Sequence, residues 1–211
     1  AAVDDGVLDA VVVVDNLTGH KLPTAYPSRR VWLHVTVRDA AGAVVFESGA
    51  LRPDGAIAGN DNDEHPDRFE PHHLVIDSPD DVQIYEVILA GADGKPTTGL
   101  TSAVGHLKEN RLPPDGFDKH RVPEDIAVTG AALEDPDFEG GADRVRYRTR
   151  VAGARGPFRI DALLWYQPIS FRWAQNLGPY DAPEPRRFLS YFDAMAAHSA
   201  IVLARAAATV P

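Results

Sequence analysis

Val31-Trp32-Leu33-His34-Val35-Thr36-Val37-Arg38-Asp39 is the stretch that decides the fold class. Val31, Leu33, Val35 and Val37 fall on one face, and Trp32, His34, Thr36 and Arg38 on the other. Successive side chains of an extended chain point to opposite faces, so a period of two reads as a β-strand with one buried face. Asp39-Ala40-Ala41-Gly42 supplies turn residues, and residues 43–47 return as the second arm of a hairpin. His34 lies on the less apolar face and reads as an ordinary surface or partly packed side chain. Upstream, residues 8–15 contain four consecutive valines, a β-branched run expected to be a buried strand.

Between these two strands runs Asn16-Leu17-Thr18-Gly19-His20-Lys21-Leu22-Pro23-Thr24-Ala25-Tyr26-Pro27-Ser28-Arg29-Arg30. Gly19 permits a backbone conformation closed to most residues, and Pro23 and Pro27 fix φ and remove donors. The reading is a stiff loop that points His20 outward. The same residues also read as a turn with a polar tip and nothing more.

Downstream, residues 49–71 form a long acidic loop, and strands resume at 73–77 and 82–90. In the latter both alternating sets are largely apolar, which predicts cover on both faces. Residues 100–110 fit a strand end or a short helix equally. Residues 111–141, rich in Pro, Gly, Asp and Glu, read as a second excursion. At 144–152 arginines alternate with Val145, Tyr147, Thr149 and Val151, an edge-like strand expected to pair with 157–167 across a Gly-Ala-Arg-Gly turn. The period then changes. Phe188, Phe192, Met195, Ser199, Val202 and Ala206 recur at steps of four and three, and the Ala-rich composition extends the expected helix over 185–208. The fold class is therefore mainly β, an antiparallel sandwich of immunoglobulin-like or jelly-roll-like kind, with long loops and a C-terminal helix. Residues 1–211 read as one domain, long enough to bury a core.

Composition narrows the function. There is no cysteine among 211 residues, which removes disulfides, zinc–thiolate sites and cysteine nucleophiles together. A net charge of −10 argues against nucleic acid, whose binding rests on basic patches. No apolar run approaches the roughly 20 residues of a membrane span. Ala1-Ala2 suits the start of a chain processed after export. No serine sits in a Gly-x-Ser-x-Gly elbow, and the chain reads as having no catalytic activity of its own.

Two clusters could hold metal. Between residues 54 and 70 stand Asp54, Asp61, Asp63, Glu64, Asp67 and Glu70, with Asn60 and Asn62 adding amide oxygens. Hard cations take six to eight such oxygens, so Asn60, Asp61, Asn62 and Asp63 are candidate Ca²⁺ ligands. The spacing departs from an EF-hand, since Pro66 stands where that loop needs glycine. A solvated acidic loop is the plain alternative. His65, His72 and His73 follow closely and invite a transition-metal reading, although adjacent histidines on an extended chain point apart.

Thr18-Gly19-His20-Lys21-Leu22-Pro23-Thr24-Ala25-Tyr26-Pro27 followed by residues 29–39 resembles the opening of a haem-less β-rich domain near the C-terminus of periplasmic multihaem c-type cytochromes. Gly59-Asn60-Asp61-Asn62-Asp63, Val82-Gln83-Ile84-Tyr85-Glu86 and Leu164-Trp165-Tyr166-Gln167-Pro168 with Arg172-Trp173-Ala174 are similar to the same domain. The resemblance implies a β-domain or subunit of an electron-transfer assembly, periplasmic or extracellular, that covers haems. It also implies that His20 serves as a distal axial ligand in trans; the histidine cluster, read by itself, offers His72 as a second candidate. No Cys-x-x-Cys-His motif exists here, so any haem c belongs to a partner cytochrome domain or chain. A different class of function, a Ca²⁺-stabilised extracellular binding or adhesion module of carbohydrate-binding kind, stays open, as does oligomerisation.

Overall fold

The computed structural model describes residues 1–211, and its order of elements follows the punctuation of the sequence. Strands β1 (Ala2–Asp4), β2 (Val7–Asp15), β3 (Arg30–Arg38) and β4 (Val44–Ser48) come first. A short α1 (Asp61–Glu64) interrupts the acidic segment. Then follow β5 (Val75–Ile76), β6 (Ile84–Tyr85), β7 (Val87–Ala90), β8 (Pro96–Thr97) and β9 (Gly105–Glu109). After the second excursion come β10 (Ala142–Arg150), β11 (Phe158–Gln167), α2 (Phe171–Gln175), α3 (Pro183–Met195) and β12 (Ile201–Val210).

One sheet runs β1-β2-β10-β5, and the other runs β12-β11-β3-β4 with β6 added beside β3. Pairing is antiparallel apart from β10 with β5. A small third sheet runs β8-β7-β9. The two larger sheets face each other as a sandwich. Leu8, Ala10, Val14, Val145 and Tyr147 from one meet Val31, Leu33, Val35, Val37, Ile160 and Ala162 from the other, all buried. At about 25 cal/mol per Å² of apolar surface removed from water, this shared face is the main stabilising term. The expected face of β3 is thus the buried one. Its other face is covered in part. Trp32 is fully buried, its ring 6.0 Å from that of Trp165 and nearly parallel to it. Ile57, Val82 and Ile84 pack around the pair. Trp32 Nε1 donates to Gly49 O at 2.9 Å. Gly49 has φ +78°, and a Cβ there would lie 2.3 Å from Leu33 O, so only glycine fits.

Several expectations are corrected. The valines of β2 alternate rather than all being buried: Val14 is inside, while Val11 and Val13 are about half exposed. Residues 82–90 are covered throughout, as expected, but split at Glu86 into β6 and β7, which join different sheets. Residues 100–110 resolve to strand β9. β11 does not pair with β10. The chain crosses to the other sheet, and β11 lies between β3 and β12. The helix predicted over 185–208 ends at Met195, and 201–210 is strand. Helical spacing favours continuation there, but β11 offers a full ladder from Phe158↔Val210 to Tyr166↔Ile201, and tertiary pairing overrides local propensity. On α3, Phe192 is buried against Ala174 and Ala196, while Met195 is exposed.

The acidic segment is solvated only in part: Asp54, Glu64 and Asp67 are exposed, whereas Asp63 and Glu70 are not. Asp63 is buried and meets Arg30 Nη1 at 2.9 Å, and its second oxygen accepts from Ile57 N at 2.8 Å. Arg30 Nε also donates to Gln167 Oε1 at 2.7 Å, and Arg30 Nη2 to Gly55 O at 3.2 Å. Every charge of this pair is hydrogen-bonded, the condition under which a buried ion pair is tolerated.

Candidate functional site

His20 sits where the chain leaves β2, and one buried side chain shapes the turn around it. Asn16 is 2% exposed. Its Nδ2 donates to His20 O at 2.8 Å, Leu112 O at 3.0 Å and Pro113 O at 3.2 Å. Its Oδ1 accepts from Thr18 N at 3.1 Å and Thr18 Oγ1 at 2.7 Å. Asn16 N donates to Gly141 O, and Leu22 exchanges two backbone bonds with Leu112. The loop is therefore stapled to the second excursion from both ends. Gly19 is not the residue that takes a left-handed conformation; Ala25 does, at φ 61°. Lower down, Tyr26 meets Trp173 edge-on at 5.8 Å, and Ser28 Oγ donates to Pro168 O.

The imidazole of His20 is exposed. Its Nδ1 lies 3.2 Å from Lys21 O and 3.4 Å from Thr18 Oγ1. A carbonyl only accepts, so Nδ1 carries the donated proton, and Nε2 of the neutral ring presents an unused lone pair to solvent. Leu17 beside it is 94% exposed. Lys21 turns the other way. Its Nζ donates to Ile126 O at 2.8 Å, lies 3.4 Å from Glu109 and sits over the Phe117 ring. Burial lowers the Lys21 pKa against the opposing pull of Glu109.

His72 is the opposite case. It is buried, with Nε2 3.0 Å from Asp135 Oδ2 and 3.9 Å from Asp143 Oδ1. Its Nδ1 receives Gln83 Nε2 at 2.8 Å and Asn110 Nδ2 at 3.0 Å. Both amides are locked, since Gln83 Oε1 accepts from His73 N and Asn110 Oδ1 from Glu86 N. Nδ1 is therefore the acceptor, and Nε2–H points at Asp135. Tyr85 donates to Asp143 Oδ2 at 2.6 Å, and Phe138 packs edge-on against the ring at 4.8 Å. Burial pushes the Asp143 carboxyl above its ordinary range. Burial pushes Asp135 upward as well, but the His72 bond and the Asp137 N–H outweigh it and leave it below that range. With both ring nitrogens engaged and no exposure, His72 offers nothing to an iron outside the chain.

Asn60, Asp61, Asn62 and Asp63 do not converge as an oxygen cage. They form α1 and its cap, with Asn60 Oδ1 accepting from Asn62 N and Asn62 Nδ2 donating to Arg68 O. The Asp63 carboxylate belongs to Arg30, and Arg172 takes the Asn62 and Asp63 carbonyls. His65 Nδ1 accepts from Asp67 N, and His34 Nε2 meets Glu47 Oε1. Sequence reading missed Asn16, Arg30, Gln83, Asn110, Asp135 and Asp143. A signal was present for Arg30 and Gln83, which stand beside or inside otherwise apolar runs.

No family model matches the chain, and no curated protein matches it. Among solved structures the chain is similar to a penta-haem cytochrome c552 from Thermochromatium tepidum, with a TM-score of 0.53 and 16% identity. The match covers 98% of this chain and 37% of that one, so the chain spans little more than a third of that protein's length. At this identity the likeness is one of fold.

Proposed function

We propose that this chain is a haem-less β-sandwich domain or subunit of a multihaem cytochrome c electron-transfer assembly, in the periplasm or outside the cell. In this reading it covers haems of a partner domain or chain and lends His20 to one of them as distal axial ligand. The observation that carries it is the state of the His20 ring: exposed, with Nδ1–H held by Lys21 O and Nε2 free. A metal-bound imidazole ordinarily donates its other N–H to a carbonyl or carboxylate, which fixes tautomer and direction. The Asn16 clamp supplies rigidity before any partner arrives, so little ordering is left to be lost on association. Similarity of fold to a penta-haem cytochrome supports the setting, and the missing cysteines put the thioether attachment on the partner. The haem, when bound, supplies one-electron redox chemistry, and its sixth ligand and surroundings set its potential. Lys21 does not compete for that position, because its ammonium is committed to Ile126 O and Glu109.

The test uses a haem peptide carrying its own proximal histidine and an open sixth position. The wild-type chain should convert it from high-spin to low-spin, and the His20→Ala chain should not. Equal conversion by both chains would reject the ligand role.

A further inference from the structure

Two places bring one imidazole and two carboxylates together with all ligand atoms within 4.8 Å of one another: His72 with Asp135 and Asp143, and His73 with Glu70 and Asp81. Only the second suits a metal ion. At His72 the two locked amides place the ring proton on Nε2, the nitrogen that faces the carboxylates, so the lone pair a cation needs is absent. All three residues there are sealed from solvent.

At His73 the ring is not locked in this way. Nε2 faces Glu70 Oε1 at 2.5 Å and donates its proton to that carboxylate, but Nδ1 makes no hydrogen bond within the chain, so the proton can move there when a cation takes the Nε2 lone pair. The side chain is 13% exposed, which leaves an entry path. Glu70 is 3% exposed, and its only cationic partner is this imidazole. The Asp81 carboxylate points into the same group and makes no hydrogen bond or ion pair within the chain. Asp77 and Asp80 stand close by, also without a Lys or Arg partner. No Lys or Arg balances the carboxylates of this corner, and a convergent nitrogen with two oxygens lies at its centre.

We propose that Glu70, His73 and Asp81 bind a divalent transition-metal ion of the Zn²⁺ class. One imidazole with two carboxylates, and water in a fourth position, is a zinc-type donor set, whereas Ca²⁺ asks for six or more oxygens. Bonds of about 2.0–2.1 Å require the donors to stand farther apart than His73 and Glu70 now do, so the solvent-side ring backs away by under about 1 Å. The ion would also fasten the acidic segment. Glu70 already accepts from Asp61 N at 3.4 Å and Val82 N at 3.2 Å, and Ser48 Oγ donates to Asp81 O.

Calorimetric titration of the full chain with ZnCl₂, after chelator treatment, tests the site, with Co²⁺ and its visible d–d bands as a second probe. One ion per chain is expected, with affinity at least tenfold weaker in His73→Gln and in Asp81→Asn and unchanged in His20→Ala and His65→Ala. CaCl₂ should give no comparable heat. Asp81→Asn neutralises a side chain that makes no hydrogen bond in the fold and keeps the test valid if His73→Gln destabilises the chain. Wild-type binding in both variants, binding lost in His20→Ala or His65→Ala instead, or no binding at all would overturn the proposal.

Discussion

His20 and His72 are both oriented by hydrogen bonds, and what holds each ring separates a presented group from a structural one. At His20 the Lys21 carbonyl and the Thr18 hydroxyl meet Nδ1 alone, and Nε2 faces water. At His72 two amides and a carboxylate take both nitrogens, and aromatic rings close the space around them. The count of partners, rather than the presence of an imidazole, therefore decides which histidine can act outside the fold. Breaking the first should disturb function with little cost in stability, and breaking the second should do the reverse.

The largest expected effect is at His72. His72→Ala takes the Nε2–H donor from the buried Asp135 carboxylate and the acceptor from two buried amides, and an unsatisfied buried group costs about 1–3 kcal/mol, more when it is charged. Urea unfolding at pH 7 measures it; a loss under about 0.5 kcal/mol, usual for surface changes, would mean the network carries no structural weight. Next comes Asn16→Ala, which deletes three donated hydrogen bonds, although Leu112 O and Pro113 O each keep one backbone donor, from Leu22 N and Gly141 N. A lost hydrogen bond costs about 0.5–1.5 kcal/mol net. Faster amide exchange in residues 17–22 should accompany the loss, and unchanged exchange would show that the loop does not depend on this clamp.

A third expected effect concerns pH. The Asp143 pKa is raised, so the folded state binds more protons than the unfolded state above the ordinary Asp value of about 3.9. Its contribution to stability is therefore lost as pH rises from about 4 through the raised value. Asp135 is lowered, and its contribution is present above about 3.9 and lost as pH falls through its folded value. Stability compared between pH 4 and 7 should drift against the wild type relative to Asp143→Asn, and parallel curves would count against a raised Asp143. The smallest expected change is in His20→Ala, which should stay within about 0.5 kcal/mol of wild type, because the ring makes no buried contact. A larger loss would collapse the contrast between the two histidines.

The buried face of β3 was legible because its alternation is local, and a pleat imposes period two on whatever sequence occupies it. His20 on an outward loop was legible from the residues around it. What local pattern could not carry was partnership. Ala-rich residues 201–210 satisfy helical spacing, and only β11, some forty residues earlier, makes them a strand. The acidic run of 54–70 looked solvated or calcium-binding because Arg30, which neutralises Asp63, is distant in sequence. Asp135 and Asp143 lay in or beside a Pro/Gly-rich excursion with no mark of burial. The hydrogen bonds that define the His72 network span 11, 38 and 63 residues, beyond any window of periodicity.

The stacked indoles of Trp32 and Trp165 give the molecule a built-in optical gauge. Two near-parallel chromophores at 6.0 Å couple, so a signed near-ultraviolet dichroism band should belong to this pair. Ile57, inside the acidic segment, and Val82, just ahead of β6, wall off Trp32 from water. Loosening of that segment would wet one indole and shift its emission to the red while the sandwich stays intact. A colour change at Trp32 without loss of far-ultraviolet signal would thus time the opening of one segment separately from global unfolding.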